Sequence, residues 1–160
     1  MKGKPEVLKV LQEMLEEELG AINQYFLHSE MCENWGYERL SKHIKKISIN
    51  EMGHAERIIE RTLFLEGMPS LSELPKLNIG KDVKQAIEND LVLELGAVHD
   101  YNKAVAACRE AGDNGTADFL KEILMVEEAH VDFWEEQLDL IEQIGLQNYL
   151  AQQLGEEAEK

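Results

Sequence analysis

The sequence predicts an all-α, antiparallel four-helix bundle with a long crossover between the second and third helices and a short fifth helix near the C-terminus. Four long segments repeat their apolar residues at helical spacing. They are rich in Glu, Leu, Ala, Lys and Gln, which lose little conformational freedom in a helix. The connections between them run short, long, short, and Pro69 and Pro75 both fall in the long one.

The first helix spans about 5–35. Pro5 suits an opening turn, whose N–H has no partner to lose, and Gly36 supplies a left-handed stop. The second spans about 38–66 and ends at Gly67-Met68-Pro69. Residues 67–80 are too many for a tight turn and enough to carry the chain along the bundle. Asp82 is placed to cap a third helix over about 83–111. Gly112-Asp113-Asn114-Gly115 reads as a turn into a fourth over about 116–144, which Gly145 ends. An amphipathic piece, 146–154, makes the short fifth helix, and 156–160 form a solvated tail. The whole chain, 1–160, reads as one domain, large enough to bury roughly 70% of the surface its unfolded form exposes.

Charge narrows the function. With 32 Asp and Glu against 16 Lys and Arg, the chain lacks the clustered cations that nucleic-acid phosphates require. The excess suits metal cations, or serves only solubility. Cys32 and Cys108 stand in no metal-ligand spacing and read as free thiols in a reducing compartment. The N-terminus has no apolar signal core, and no apolar run approaches membrane length, so the expected location is cytoplasmic.

An internal repeat locates the chemistry. Glu18-Leu19-Gly20-Ala21 returns as Glu94-Leu95-Gly96-Ala97, with Tyr25 returning as Tyr101, at an offset of 76 positions. The same offset carries Glu51 to Glu127 and His54 to His130, so two Glu-x-x-His pairs repeat with two lone glutamates. In an antiparallel hairpin, residues equidistant from the turn lie side by side. The midpoint of Glu18 and Glu51 falls between Asn34 and Trp35, at the first turn, and that of Glu94 and Glu127 between Glu110 and Ala111, at the edge of the second. All four therefore reach one level, roughly 25 Å from the loop end at 1.5 Å per residue.

Within each Glu-x-x-His, a spacing of three puts both side chains on one helical face. Apart from these pairs that face is apolar: Ile47 and Ile58 around the first, Leu120, Ile123 and Trp134 around the second. Four ionised carboxylates buried together repel one another and lose hydration, so they need neutralising partners. Two divalent cations supply the charge. Carboxylate with imidazole suits iron or manganese and lacks the thiolates of a structural zinc site. Tyr25 and Tyr101, two turns beyond Glu18 and Glu94, either hold a ligand carboxylate or pack as ordinary core tyrosines.

The segments ELGAINQYFLH (18–28), NEMGHAE (50–56), IERTLFLEG (59–67), EEAH (127–130) and LDLIEQIGLQNYL (138–150) closely resemble the bacterioferritins, a haem-containing branch of the ferritin-like di-metal bundles. The resemblance covers nearly the whole chain. It implies twenty-four subunits, built from twofold dimers, closing into a hollow shell. It implies ferroxidase chemistry: Fe(II) oxidised by O2 or H2O2 at an intrasubunit centre of two iron ions, then stored as Fe(III) mineral. The ligands carried over are Glu18, Glu51, His54, Glu94, Glu127 and His130, with Glu51 and Glu127 as bridges. It further implies a haem, of b type or a related iron porphyrin, shared between two subunits with Met52 as an axial ligand, and a small ferredoxin-type donor of electrons for iron release.

Met52 lies about 130° around its helix from the centre of the Glu51/His54 face, and so on the outside of the bundle. There it joins Ala55 and Ile59, near Leu19, Ile22 and Phe26, as an apolar stripe suited to a subunit interface. The chain departs from some relatives in having Lys45 where they place an aromatic residue near the haem. It also has Lys46 and Asn50 where some carry a His and an Asp as an inner-surface iron site. His28 is read as a polar surface or interface histidine. Competing readings are a non-haem ferritin, a di-iron or di-manganese peroxidase or catalase without storage, and a purely structural bundle that binds a protein.

Overall fold

A computed structural model describes residues 1–155 and contains four long helices and one short one: α1 (Pro5–Asn34), α2 (Glu38–Phe64), α3 (Val83–Glu110), α4 (Asn114–Ile144) and α5 (Leu146–Ala151). No strand occurs among the described residues, and no helix there is long and apolar enough to cross a membrane. The expected tail at 156–160 lies outside the described residues.

Helix ends follow local chemistry. Gly36 and Gly112, both at positive φ, let the chain reverse after α1 and α3 so that Tyr37 N–H reaches Cys32 O and Asp113 N–H reaches Cys108 O. After α2 that left-handed position is taken by Glu66 (φ 60°), one residue before Gly67, with Gly67 N–H on Thr62 O. The helix thus stops at Phe64 and not at 66. Asp82 caps α3 by accepting from Gln85 N–H at 2.9 Å. Asp113 does the same for Thr116 N–H at 2.9 Å, which draws 114 and 115 out of the expected turn and into α4. The fifth helix stops at Ala151, short of 154.

Neighbouring helices run antiparallel. α1 packs on α2 and on α3, and α3 packs on α4. Cross-links close the α2–α4 side: Arg57 on Glu122 at 2.5 Å, Arg61 Nε on Thr116 Oγ1 at 3.0 Å, and the His43 ring stacked 3.9 Å from that of Phe133. Two apolar clusters fill the bundle. One around Leu11, Leu15, Ile58, Leu120 and Ile123 lies toward the end where α1 begins; the other around Ile44, Ile47, Ile87 and Trp134 lies toward the end where it stops.

The crossover climbs α1 as a strap. Gln12 holds Ser70 through two hydrogen bonds, Gly20 meets Pro75, Gln24 Oε1 accepts from Asn78 N–H, and His28 Nε2 accepts from Gly80 N–H. From Gln12 to His28 a helix rises about 24 Å, which the ten residues from Ser70 to Gly80 cover without full extension. At its upper end the strap is tied to α3 as well. His28 Nδ1 lies 2.8 Å from Asp90 Oδ1, and Gln24 Nε2 donates to the same oxygen at 2.9 Å. His28 and Asp90 are fully buried, so the expected surface histidine is an interior one. Accepting from Gly80 requires Nε2 to be unprotonated, leaving Nδ1–H to donate to Asp90.

Duplicated positions have unlike surroundings. A Cβ on Gly20 would stand 2.4 Å from Pro75 Cγ, whereas one on Gly96 meets nothing within 4 Å. Gly20→Ala is therefore expected to push the strap away and destabilise the fold by about 1–3 kcal/mol. Gly96→Ala, at the equivalent position, should stabilise it by about 0.5–1 kcal/mol through helix propensity. Denaturant melts of the two variants check this; shifts of the same sign would contradict the strap contact.

Candidate metal centre

Each of the four long helices contributes to one buried cluster: α1 gives Glu18, α2 gives Glu51 and His54, α3 gives Glu94, and α4 gives Glu127 and His130. All six are buried. Their donor atoms form two groups, Glu18/Glu51/His54/Glu127 and Glu51/Glu94/Glu127/His130, within each of which the atoms lie within 4.8 Å of one another. Glu51 and Glu127 belong to both. His54 Nδ1 stands 2.9 Å from Glu51, 3.1 Å from Glu127 and 3.6 Å from Glu18. His130 Nδ1 stands 3.0 Å from Glu51, 3.1 Å from Glu127 and 3.3 Å from Glu94. A central pair of carboxylates thus lies between two imidazoles, with one further carboxylate on each flank.

Tyrosines hold the flanking carboxylates in crossed fashion. Tyr25 of α1 donates to Glu94 of α3, and Tyr101 of α3 donates to Glu18 of α1. Seven residues separate each tyrosine from the glutamate on its own helix, about 10 Å along the axis, but α1 and α3 are antiparallel and bring the partner's glutamate alongside. Trp134 Nε1 donates to Tyr25 Oη at 2.9 Å. Burial first, then the charges of Glu94 and Glu18 respectively, raises both phenols well above their ordinary range, so both stay O–H donors.

The protonation pattern is what four buried carboxylates demand. Burial alone would lower the imidazoles, but hydrogen bonds to Glu127, Glu18 and Glu51 lift His54 to about 12, and those to Glu127, Glu51 and Glu94 lift His130 to about 12. Burial alone would raise Glu51, yet the imidazoles of His130 and His54 beside it hold it down at about 2. The flanking pair goes the other way. Burial, with repulsion from Glu51 and Glu127, raises Glu94 to about 8 and Glu18 well above its ordinary value. Without metal the centre approaches neutrality by holding protons on both imidazoles and both flanking carboxyls. Two divalent cations would replace that charge one for one.

Beside the centre, Glu17 on α1 contacts Asp100 on α3. Burial, then the Asp100 charge and hydrogen bond, push Glu17 up to about 8. A cavity of about 270 Å³ lies against α1, α3 and the strap and touches Glu18, Glu51, Glu94 and Glu127.

Met52 lies outside this cluster, 61% exposed on the outer face of α2. Ser48 Oγ donates to Ile22 O at 2.9 Å, which sets the outward stripes of α1 and α2 side by side. Phe26 is exposed there, Ile22, Leu19 and Ile59 are half-buried, and Ala55 is buried in the core and leaves the stripe. Ile49, 63% exposed and one turn before Met52, extends it instead. Lys45 pairs loosely with Glu30 at 3.9 Å, and Lys46 and Asn50 are exposed. Cys32 and Cys108 are free and buried, their thiols raised to about 12 and about 11, chiefly by burial. Sequence reasoning missed Gln24 and Asp90; the available signal was Asp90 itself, a charge one turn before Glu94 on the same face.

Fold and cluster together define a ferritin-like helical bundle with a donor set suited to two metal ions, and the ferritin-like domain family matches residues 8–144. Curated relatives align over most of both chains. A bacterioferritin of Mycolicibacterium paratuberculosis is 43% identical over 152 residues, covering 95% of this chain and 96% of its own. One of Brucella melitensis is 43% identical over 149 residues, 93% of this chain and 92% of its own. A bacterial ferritin of Synechocystis is 43% identical over 155 residues, 96% and 99%. The chain belongs to the bacterioferritin family.

Metal binding must displace the protons described above. At pH 7, uptake of two Co(II) or Zn(II) ions per chain is expected to release close to four protons, and affinity should rise with pH because the competing protons leave. Calorimetry in buffers of different ionisation enthalpy measures this. Release of fewer than two protons, or tighter binding at pH 6 than at pH 8, would contradict the charge pattern.

Proposed function

We propose that this protein oxidises and stores iron. Two Fe(II) ions are the substrate, held between Glu18/His54 and Glu94/His130 and shared by Glu51 and Glu127. The observation that carries this reading is the pair of donor groups with two carboxylates in common. Side-by-side placement lets each ion give up one electron, so the two electrons that reduce O2 with two protons to H2O2, or H2O2 with two protons to water, come from neighbouring metals. Tyr25 and Tyr101 hold the flanking carboxylates in place as charge on the metals changes. The Fe(III) product passes into the cavity of a 24-subunit shell built from twofold dimers; curated relatives named bacterioferritin over nearly their whole length support that assembly.

The outward stripe around Met52 fits a twofold interface holding a haem, since its thioether lies on an exposed apolar surface and is not consumed by the core. Met52 from each of two subunits would hold the haem iron. Such a haem supplies electron transfer to the stored mineral, with electrons from a ferredoxin-type donor, for iron release.

Aerobic addition of excess Fe(II) to metal-stripped protein, followed by size-exclusion chromatography and elemental analysis, tests the storage reading. Hundreds of irons per large assembly are expected, with loading slowed at least tenfold in Glu94→Ala and Glu127→Ala. Iron that stops at about two per chain on a small oligomer would instead indicate a di-iron enzyme without storage. In the same preparations Met52→Ala should lose the Soret absorbance gained on haem addition; retention of that band would remove Met52 from the haem site.

A further inference from the structure

The outward stripe shared by α1 and α2 is apolar along its length and charged at its borders. Phe26 of α1 and Ile49 and Met52 of α2 are each more than half exposed on it. Beyond Met52 the border is acidic, with Glu56 exposed one turn on and Glu60 one turn further. In the other direction the stripe ends on Lys45. Seven residues separate Lys45 from Met52, two turns of helix, which is about 10 Å along the axis and only about 20° around it. The two therefore lie on one face of α2, with Ile49 between them in height.

Lys45 is alone in its sign on that face. Lys42 and Lys46 lie about 80° and about 120° around α2 from Met52, and Arg57 about 140°. α1 carries no Lys or Arg at all after Lys9. Lys42 and Arg57 are also engaged closely elsewhere, with Glu38 at 2.8 Å and with Glu122 at 2.5 Å. Lys45, in contrast, reaches Glu30 of α1 only at 3.9 Å, and both side chains are about half exposed. A pair that long and that wet contributes little, so the ammonium on its flexible stem can turn to another carboxylate.

A ligand suited to this surface is flat and apolar, accepts a thioether at its metal and carries negative charge. Haem is an apolar disc with two propionate carboxylates on one edge. The twofold axis that sets one Met52 on each face of such a disc lies in the plane of the disc, and so also supplies one Lys45 for each propionate. Elsewhere the border of the stripe would repel them. We propose that Lys45 binds a haem propionate, so that the single cation on the Met52 face selects a carboxylate-bearing porphyrin. The proposal rests on the reading of Met52 as the residue that holds the haem iron.

Absorbance titrations of the assembled, haem-free protein test it without any turnover, using haem and haem dimethyl ester, in which both propionates are neutral esters. The parent should bind haem about tenfold more tightly than the diester. Lys45→Gln should weaken haem, leave the diester unchanged and bring the two within about twofold, whereas Lys45→Arg should keep the preference. Glu30→Gln, which removes the competing carboxylate, should widen it. Lys46→Gln, the same loss of charge from a different face, should keep the parent's ratio. Equal binding of the two porphyrins by the parent, an unchanged ratio in Lys45→Gln, or an equal fall in Lys46→Gln overturns the role of Lys45. If haem gives the parent no Soret band, or the band survives in Met52→Ala, the reading of Met52 fails and the role of Lys45 falls with it.

Discussion

Four carboxylates buried at one level of a helical bundle are the constraint on which the rest of this structure depends. An isolated ionised carboxylate is expensive to remove from water, and four together add mutual repulsion to that cost. Every unusual feature near the middle of the bundle answers this problem. Two imidazoles contact the central carboxylates, two phenols donate to the flanking ones, and the flanking ones are pushed toward their neutral form. Such an arrangement contributes little to stability compared with an apolar core. Its persistence on all four helices is understandable as a site in which metal charge replaces proton charge.

The scaffold meets the geometric half of the problem through symmetry and then breaks that symmetry. Two similar hairpins set the glutamates at one height, and antiparallel α1 and α3 let each tyrosine serve the other hairpin's carboxylate. The strap has no counterpart: it runs along α1 alone, is pinned by Gln12, Gln24 and His28, and presses Pro75 against Gly20. Its buried anchor is His28, which with Gln24 holds one carboxylate oxygen of Asp90 inside the core, an arrangement that specifies one path for the chain at the expense of apolar packing. The cavity that touches the four glutamates lies on the side of the bundle where the strap runs.

Much of this was legible in the sequence because it is local or repeated. Helical periodicity, Gly36, Asp82 and the Pro-containing connector place the elements, and the offset of 76 brings the six donor residues to one level before any coordinates are known. Smaller errors came from turn chemistry: Asp113 extends α4 by capping it, and Glu66 takes a left-handed position that stops α2 at Phe64. His28, Gln24 and Asp90 escaped because their partners are more than fifty residues away and the repeat does not carry them: His28 corresponds to Ala104. Ala55 was assigned outward by angle alone, but a small side chain lets the neighbouring helix close over it, while Ile49 and Met52 remain outside.

The central claim is that two metal ions sit together between these helices and share Glu51 and Glu127. Anomalous diffraction at the iron edge, from crystals soaked anaerobically with Fe(II), addresses it directly. The account predicts two peaks per chain, about 3.5–4 Å apart, one beside Glu18 and His54 and the other beside Glu94 and His130. A single peak, or iron bound only elsewhere on the chain, would contradict it.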